Sequence, residues 1–262
     1  MKIAIIGAGN MGGAIARGLA SGSIVKAADI TVTAHTQKTL DKLNSDIPEI
    51  NTTLNNSEAV VGADIIMLAI KPWLLKGIID EIKPSLDLNK QMIVSIVAGA
   101  SFDDLKDMLG NDITTMFRVI PNTAISIKKS PTLMCCCNAS EEQIEYVKSL
   151  FDELGQAFIL EERLMAAGTA ITSCGIAYAF EYIKAAIQAS IELGFYPHVA
   201  KALVDQTVIG AASLLEENKT MPDAEIYKVC TPGGITIKGL NEMSAQGFDH
   251  AVIAGLKKAA GK

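Results

Sequence analysis

The sequence predicts an α/β domain built on a doubly wound parallel sheet, followed by an all-helical domain. Two observations carry this prediction. Short apolar runs alternate with helical patterns through the first part of the chain, which is the arrangement that places helices on both faces of a parallel sheet. From Glu161 to Glu217 the strand-like runs stop and long alanine-rich helical patterns replace them. We therefore expect two domains, residues 1–160 and 161–262, with no low-complexity linker between them.

The most specific motif lies at the amino terminus. Lys2 to Ile6 form a short apolar run that suits one buried strand, and Gly7, Gly9 and Gly12 follow it as G-x-G-x-x-G before a helical pattern begins. In that setting the first glycine makes a tight turn, the second lets the backbone approach a pyrophosphate, and the third lets helix and strand pack closely. Unpaired N–H groups of the first helical turn then bind the diphosphate. The motif predicts dinucleotide binding, and a plain packing turn is the alternative.

Composition and charge argue against several kinds of partner. The chain has 262 residues, of which 49% are hydrophobic and 20% charged, which is enough apolar material for a sizeable core. A formal net charge of −6 without a basic block argues against nucleic acid and anionic membrane surfaces. Because the first predicted strand begins at Lys2, we expect no signal or transit peptide and a cytoplasmic protein.

The five cysteines show no metal-ligand spacing. Three of them are consecutive, Cys135 to Cys137, within an apolar run, and none forms a C-x-x-C or Cys/His pattern. We therefore predict reduced thiols that pack as small hydrophobic side chains, and no metal site.

The end of the second predicted strand bears on the choice of cofactor. Ile30 to Ala34 form this strand, and a site for NAD would place Asp or Glu just after it to bind the ribose 2′-hydroxyl. Neither residue is present there. Thr36, Gln37 and Lys38 offer hydroxyl, amide and cationic groups that suit a 2′-phosphate. We predict NADP rather than NAD; the alternative is that Lys38 only begins an exposed helix and the pocket is indifferent.

The remaining apolar runs complete the sheet. Residues 63–70 predict a buried strand that ends at Lys71-Pro72, at the carboxyl edge where ligands bind in such sheets, and Lys71 faces either the cofactor or the solvent. Ser101 is a good N-cap for a following helix. The other predicted elements of this domain are strands at 92–97, 114–119 and 133–137 and helices at 73–82, 102–109 and 141–154.

The second domain begins with an unusually apolar stretch. Leu164 to Phe180 contain no charged residue, but the stretch is too short and too rich in Ala, Gly, Ser and Thr for a membrane span. We predict a helix buried against its own domain or against a second subunit. Gly194 is expected to end this helical region, and Pro197 to begin another helix that reaches about Glu217.

A Pro-Gly-Gly turn precedes the last helices. Thr231, Pro232, Gly233 and Gly234 lead into a helix predicted to begin at Thr236, and such a turn presents bare backbone N–H groups. A small carboxylate fits this group of donors better than a diphosphate. An ordinary helix start is the alternative.

Together these stretches resemble the pyrroline-5-carboxylate reductase family, which catalyses the last step of proline biosynthesis. The resemblance covers nearly the whole chain and implies an amino-terminal Rossmann domain and a helical domain that interlocks with a partner subunit, in dimers that commonly associate as pentamers of dimers. The matching stretches are GAGNMGGAIARG at the amino terminus, Ala69 to Pro72, Ser95 to Gly99, Arg118 to Thr123, and TPGGIT at 231–236.

The resemblance also implies a reaction and its residues. A hydride passes from C4 of the nicotinamide of NAD(P)H to the C=N carbon of a cyclic imine, 1-pyrroline-5-carboxylate, giving L-proline without a metal or a covalent intermediate. Thr236 is the implied catalytic residue, because its hydroxyl can give or relay a proton at the ring nitrogen. The implied substrate contacts are Thr231, Gly233, Gly234, Ile235, Thr236 and Cys174. With the residues already named, the cofactor contacts are Gly7, Gly9, Asn10, Met11, Gly12, Thr36, Gln37, Lys38, Ala69, Lys71, Pro72, Ala98, Gly99 and Asn122.

Three positions depart from the family pattern. Ile176 stands where the family usually has Pro in Gly-Ser-Gly-Pro-Ala-Tyr, Ile120 where it has Met, and Ile235 where it has Thr or Ala. Loss of the proline removes a helix kink, and Ile235 adds bulk beside the predicted carboxylate site. These changes leave the fold prediction intact and point to a narrower pocket or a changed substrate.

Two further alternatives stay open. A β-hydroxyacid dehydrogenase begins with a similar motif and uses a Lys with an Asn four residues on; here Lys184 and Gln188 approach that spacing, but the Asn is absent. A non-catalytic paralogue that binds NADP would show cofactor binding without turnover of any cyclic imine.

Overall fold

An eight-stranded sheet forms the centre of the amino-terminal part of this computed structural model, which describes residues 1–262. The strand order is β3-β2-β1-β4-β5-β6-β7-β8, so the chain builds outward from β1 in one direction and then from β4 in the other. The strands are β1 Ile3–Ile6, β2 Ile30–Thr33, β3 Asn51–Thr53, β4 Ile65–Leu68, β5 Met92–Ser95, β6 Met116–Ile120, β7 Ser130–Cys137 and β8 Gly155–Ile159.

Strands β1 to β6 are parallel, which confirms the predicted doubly wound sheet over most of its width. At its far edge the sheet departs from the predicted parallel arrangement. β7 runs antiparallel to β6, with Met116 opposite Cys137 and Ile120 opposite Leu133, and β8 runs parallel to β7. The cause is the short connection between β6 and β7, residues 121–129, because a parallel return needs a crossover of about a dozen residues or more.

Helices cover both faces of this sheet. Ser101 is the N-cap of α5, as predicted, and forms a capping box with Asp104. The side chain of Ser101 accepts a hydrogen bond from the N–H of Asp104, and the carboxylate of Asp104 accepts one from the N–H of Ser101. Ser140 is the N-cap of α6 and forms the same kind of capping box with Gln143. The helices here are α1 Asn10–Ala20, α2 Gln37–Asp46, α3 Asn56–Val60, α4 Leu75–Ile82, α5 Phe102–Leu109, α6 Glu141–Asp152 and α7 Met165–Thr169.

The core consists of two layers, one on each face of the sheet. All four residues of β1 are buried, and they alternate between the layers. Ile3 and Ile5 pack in the layer formed by α1 and α6, which contains Ile15, Leu19 and Phe151. Ala4 and Ile6 pack in the layer formed by α4 and α5, which contains Ile79 and Leu105. Burial on both faces explains the continuous apolar run at the amino terminus.

The chain divides into two units after Ser173. The residues just before this point belong to the sheet unit, since Met165 of α7 is buried in the layer that also contains Leu133. The predicted domain boundary after residue 160 stays a prediction. The second unit consists of α8 Gly175–Glu192, α9 Pro197–Asn218, α10 Pro222–Val229, α11 Ile235–Ala245 and α12 Phe248–Ala259.

The uncharged stretch from Leu164 to Phe180 is not one helix. It comprises α7, a π-helical turn at Ala170–Cys174, and the start of α8. The limits predicted around Gly194 and Pro197 are confirmed, since α8 ends at Glu192 and α9 begins at Pro197. None of the helices is both long and apolar enough to cross a lipid bilayer.

Within one chain, the helical unit buries little of its apolar surface. No residue of α8, α10, α11 or α12 is buried, and Phe180 of α8 is 59% exposed. The side chains of α8 are therefore not buried within one chain, and burial of this helix against a second subunit, the other predicted alternative, stays a prediction.

Candidate functional site

The predicted cofactor residues at the amino terminus lie at the carboxyl ends of β1 and β4, where the sheet changes its direction of growth. Gly7 follows β1 with φ +106°, and a Cβ there would lie 2.7 Å from the carbonyl oxygen of Ala69. The N–H of Ala69 donates to the carbonyl of Ile6 over 2.9 Å. Only glycine fits this position, because both the backbone angle and the close approach exclude a side chain. Open α/β sheets bind ligands at this change of direction.

Helix α1 begins directly after this turn with its first N–H groups uncapped. Gly9 is the N-cap, and no side chain caps the helix. A Cβ on Gly9 would meet nothing within 4 Å, whereas a Cβ on Gly12 would lie 1.9 Å from the carbonyl oxygen of Gly7. Asn10 is exposed and Met11 is half-buried. The glycine-rich turn, residues 7–12, therefore presents free donors to open space and fits the diphosphate of a dinucleotide.

Thr33, at the end of β2, supports the glycine-rich turn, a role that the sequence did not predict. Its buried hydroxyl accepts a hydrogen bond from the N–H of Gly7 at 3.2 Å, and its carbonyl accepts one from the N–H of Ala8 at 2.7 Å. The only sequence signal was a threonine at the end of an apolar strand. These bonds tie the end of β2 to the turn and place the residues that follow β2 beside it.

The turn after β2 has no acidic side chain in the position that an NAD site uses. Thr36 occupies the N-cap position of α2, but its side chain accepts no hydrogen bond from the N–H groups of the helix. Its hydroxyl lies 3.0 Å from the hydroxyl of Thr39. The side-chain amide of Gln37 donates to the carboxylate of Asp41, which lies one turn further along the helix. Lys38 is exposed and forms no ion pair. The helix N-terminus and this free cation make the corner electropositive.

The turns after β4 and β5 lie along the same edge. Lys71 is exposed, forms no ion pair, and precedes a 3₁₀ turn that begins at Pro72. Ala98 and Gly99 are exposed in the loop between β5 and α5. All four residues are accessible to a ligand, and the side chain of Lys71 is free to face either the cofactor or the solvent.

Asn122, in contrast, is already engaged inside the protein. It is 6% exposed, its Oδ1 accepts from the N–H of Ala124 at 2.9 Å, and its Nδ2 donates to the carbonyl of Thr172 at 3.1 Å. These bonds tie the end of β6 to the π-helical turn. Its role as a cofactor contact stays a prediction.

The carboxyl-terminal turn, residues 231–236, has the same general form as the glycine-rich turn. Gly233 has φ +70°, and the N–H of Gly234 donates to the carbonyl of Thr231 at 2.9 Å. A Cβ on Gly234 would lie 2.3 Å from Oγ1 of Thr231. Helix α11 begins at Ile235, one residue earlier than predicted, and no side chain caps it. Its first N–H groups are therefore free to bind an anion.

The remaining predicted substrate residues differ in exposure. Thr236 is half-buried as the second residue of α11, and Cys174 is half-buried at the end of the π-helical turn. Ile235 is 87% exposed, so its side chain does not fill the carboxyl-terminal turn of its own chain. The narrowing expected from this residue is therefore not found within one chain.

Of the three consecutive cysteines in β7, two have thiol pKa values that burial raises. Loss of solvent raises the pKa of Cys135 to about 11, and burial also raises the pKa of Cys136. Both thiols stay protonated at neutral pH and are poor nucleophiles, as packing thiols are.

The doubly wound sheet and its glycine-rich turn define the class, a dinucleotide-binding protein of the Rossmann type. Two family models match the chain. Residues 2–99 match "NADP oxidoreductase coenzyme F420-dependent", and residues 162–262 match "pyrroline-5-carboxylate reductase dimerisation".

Comparison with known proteins then gives the family. Pyrroline-5-carboxylate reductase 2 of Dictyostelium discoideum is 32% identical, over 100% of this chain and 91% of the relative. Pyrroline-5-carboxylate reductase 1 of the same organism is 35% identical over 97% of this chain, which spans 48% of that relative. The structure of Plasmodium falciparum pyrroline carboxylate reductase with NADP bound superposes with a TM-score of 0.88 and 27% identity, over 99% of this chain and 95% of that one. The chain belongs to the pyrroline-5-carboxylate reductase family, which confirms the resemblance found in the sequence.

Proposed function

We propose that this protein reduces 1-pyrroline-5-carboxylate to L-proline with NADPH as the hydride donor. The observation that carries the proposal is the uncapped N-terminus of α1 behind the glycine-rich turn, in a chain that also contains the carboxyl-terminal turn of the family. The relatives that bear the name of this activity match the chain from end to end, which supports the same reaction here.

The residues at the carboxyl edge of the sheet fit the cofactor. When bound, NADPH supplies a hydride from C4 of its nicotinamide to the carbon of the C=N bond. The N–H groups at the start of α1, from Gly9 to Gly12, bind the diphosphate. Lys71, Pro72, Ala98 and Gly99 flank the remainder of the cofactor, with Ala69 behind the turn.

The preference for NADPH over NADH follows from charge at the start of α2. Thr36, Gln37 and Lys38 receive the 2′-phosphate, and no acidic residue in the first turn of α2 repels it. The relative with a bound cofactor holds NADP, which agrees with this preference.

The carboxyl-terminal turn is the proposed substrate site. The N–H groups of Gly233, Gly234 and the first turn of α11 bind the substrate carboxylate, as a small anion fits few convergent donors. Thr236 gives or relays a proton at the ring nitrogen through its hydroxyl. Thr231, Ile235 and Cys174 complete the proposed contacts. The protein otherwise has to orient the imine and exclude water.

The helical unit is proposed to pair with a second copy of the chain. The exposed apolar side chains of α8 lie within the region that matches the dimerisation family, and a partner would bury them. We further propose that such dimers associate as pentamers of dimers and that the protein is cytoplasmic.

The departures from the family pattern define the rival activities. Because Ile176 and Ile235 replace the residues that the family usually has, two other functions are candidates: an imine reductase of altered specificity and a non-catalytic paralogue that binds NADP. The β-hydroxyacid dehydrogenase is less favoured, because Lys184 is an exposed residue paired with Glu181 on α8.

The direct test is steady-state oxidation of NADPH and of NADH with pyrroline-5-carboxylate by the wild type and the Thr236→Ala variant. We expect kcat to fall by a factor of about 100 or more, the usual size of a proton-transfer contribution, while NADPH binding persists. Thr115→Ala is the matched control, since that hydroxyl bonds to the carbonyl of Asn138 at the opposite edge of the sheet. Tight NADPH binding without turnover in the wild type would reject this activity in favour of another imine or of the binding paralogue.

A further inference from the structure

The start of α5 is held by a carboxylate from a distant part of the chain. Glu162, in the 3₁₀ turn that follows β8, accepts a hydrogen bond from the N–H of Phe102 at 2.9 Å. The same carboxylate oxygen accepts a hydrogen bond from Arg118 of β6 at 2.6 Å. Phe102 is the first residue of α5, so its N–H is one of the donors that a helix leaves unpaired.

This bond fixes one end of the loop that carries Ala98 and Gly99. At the other end, the N–H of Ile96 donates to the carbonyl of Leu68 at 3.0 Å. The capping box of Ser101 and Asp104 is local and ties the helix only to its own first turn. Among the hydrogen bonds at the start of α5, the contact with Glu162 is therefore the one that reaches a distant part of the chain.

Arg118 keeps the carboxylate in place. Its side chain is 12% exposed, and its guanidinium carbon lies 5.9 Å from the centre of the Phe102 ring. Phe102 thus makes two contacts with this pair: its N–H donates to Glu162, and its ring lies below the guanidinium of Arg118 in a cation–π arrangement. Because a buried cation without its partner is unfavourable, Arg118 strongly favours the position of Glu162 that this structure shows.

We propose that Glu162 is a positioning residue for the reduction. Its carboxylate, held by Arg118, fixes the loop of residues 98–101, against which the nicotinamide half of NADPH binds. This inference rests on the proposed function, because it takes the carboxyl edge of the sheet as the cofactor site. Residue 162 is also where the match to the dimerisation family begins. The structure places this residue in the sheet unit, together with the loop that it contacts.

The test compares Glu162→Ala and Glu162→Gln with Glu161→Ala in the full chain. Glu161 is the matched control, because it is an exposed neighbour that pairs only with Arg163. Hydrogen exchange of a peptide covering residues 97–105 reports the order of the loop. NADPH affinity follows from the fluorescence of Trp73, the single tryptophan, which is 77% exposed and follows Lys71-Pro72.

For Glu162→Ala we expect faster exchange at Phe102 and in the loop. The dissociation constant and the KM for NADPH should both rise about tenfold, because binding then has to order a loop that the lost hydrogen bond to a charged group had held in place. The KM for the imine should change much less. Glu162→Gln should be intermediate, since an amide oxygen still accepts from the N–H of Phe102, and Glu161→Ala should match the wild type.

Two results would overturn the inference. One is unchanged exchange and NADPH affinity in Glu162→Ala. The other is a loss in which both KM values and the melting temperature change together and Glu162→Gln gives no rescue, which is the signature of a purely structural role. A wild type that binds NADPH but does not reduce the imine rejects the proposed function instead, and exchange and affinity still decide the role of Glu162.

Discussion

Replacing Gly9 by alanine separates cofactor binding from folding. Gly9 has φ −69° and ψ −168°, which alanine adopts without strain, and its added Cβ would meet no atom within 4 Å. We therefore expect the free energy of unfolding to stay within about 0.5 kcal/mol of the wild type. The new methyl group would, however, occupy the space in front of the N–H groups that we propose bind the diphosphate. NADPH affinity should fall by a factor of about 10 to 100, which is about 1.4 to 2.7 kcal/mol.

Gly12→Ala should behave in the opposite way. Its Cβ would lie 1.9 Å from the carbonyl oxygen of Gly7 and 2.9 Å from Cβ of Ala69, so α1 has to move away from β1 by an ångström or more. Overpacking of this kind costs about 1 to 3 kcal/mol. Gly77→Ala on α4 is the control, because nothing lies within 4 Å of its added Cβ and alanine favours a helix.

The assay is thermal unfolding of the three variants together with NADPH titration followed by the fluorescence of Trp73. The expected order of melting temperatures places Gly77→Ala at or above the wild type, Gly9→Ala beside it and Gly12→Ala below it. Wild-type NADPH affinity in Gly9→Ala would refute the placement of the diphosphate at the start of α1.

Two further predictions concern charge and protonation. Lys38→Glu should raise the KM for NADPH at least tenfold and leave the KM for NADH nearly unchanged, because it adds a negative charge at the proposed 2′-phosphate site. Equal effects on both KM values would contradict that placement. Burial favours the neutral thiol of Cys135 and raises its pKa from 9.0 to about 11, so its contribution to stability is complete below pH 9 and is lost as the pH rises toward 11. Urea unfolding from pH 8 to 10.5 should show a shallower loss of stability in Cys135→Ala than in the wild type, and identical slopes would contradict this.

The sequence predicted the elements whose signals are local. The turn at Gly7 and the cap at Ser101 depend on adjacent residues, and both are found where expected. The direction of β7 was not predictable from its apolar residues, because such a run reads the same in either direction and the short connection of residues 121–129 decides it. β3 was missed because Asn51–Thr53 is short, polar and partly exposed at the edge of the sheet.

The contacts that support the candidate site were harder to predict. The π-helical turn interrupts an uncharged stretch in which no residue marks it, and Asn122 bonds to it from 50 residues away. Glu162 reaches Phe102 across 60 residues. Such pairs become visible only when the sheet brings the two segments together, and a single sequence has no periodicity that records them.

The most direct test of the account is formation of L-proline from pyrroline-5-carboxylate by the purified wild-type protein, with NADPH and NADH each supplied as the only reductant. The account predicts one proline formed for each NADPH oxidised, with a higher kcat/KM for NADPH than for NADH. Binding of NADPH without any proline, at substrate concentrations in the millimolar range, would contradict it.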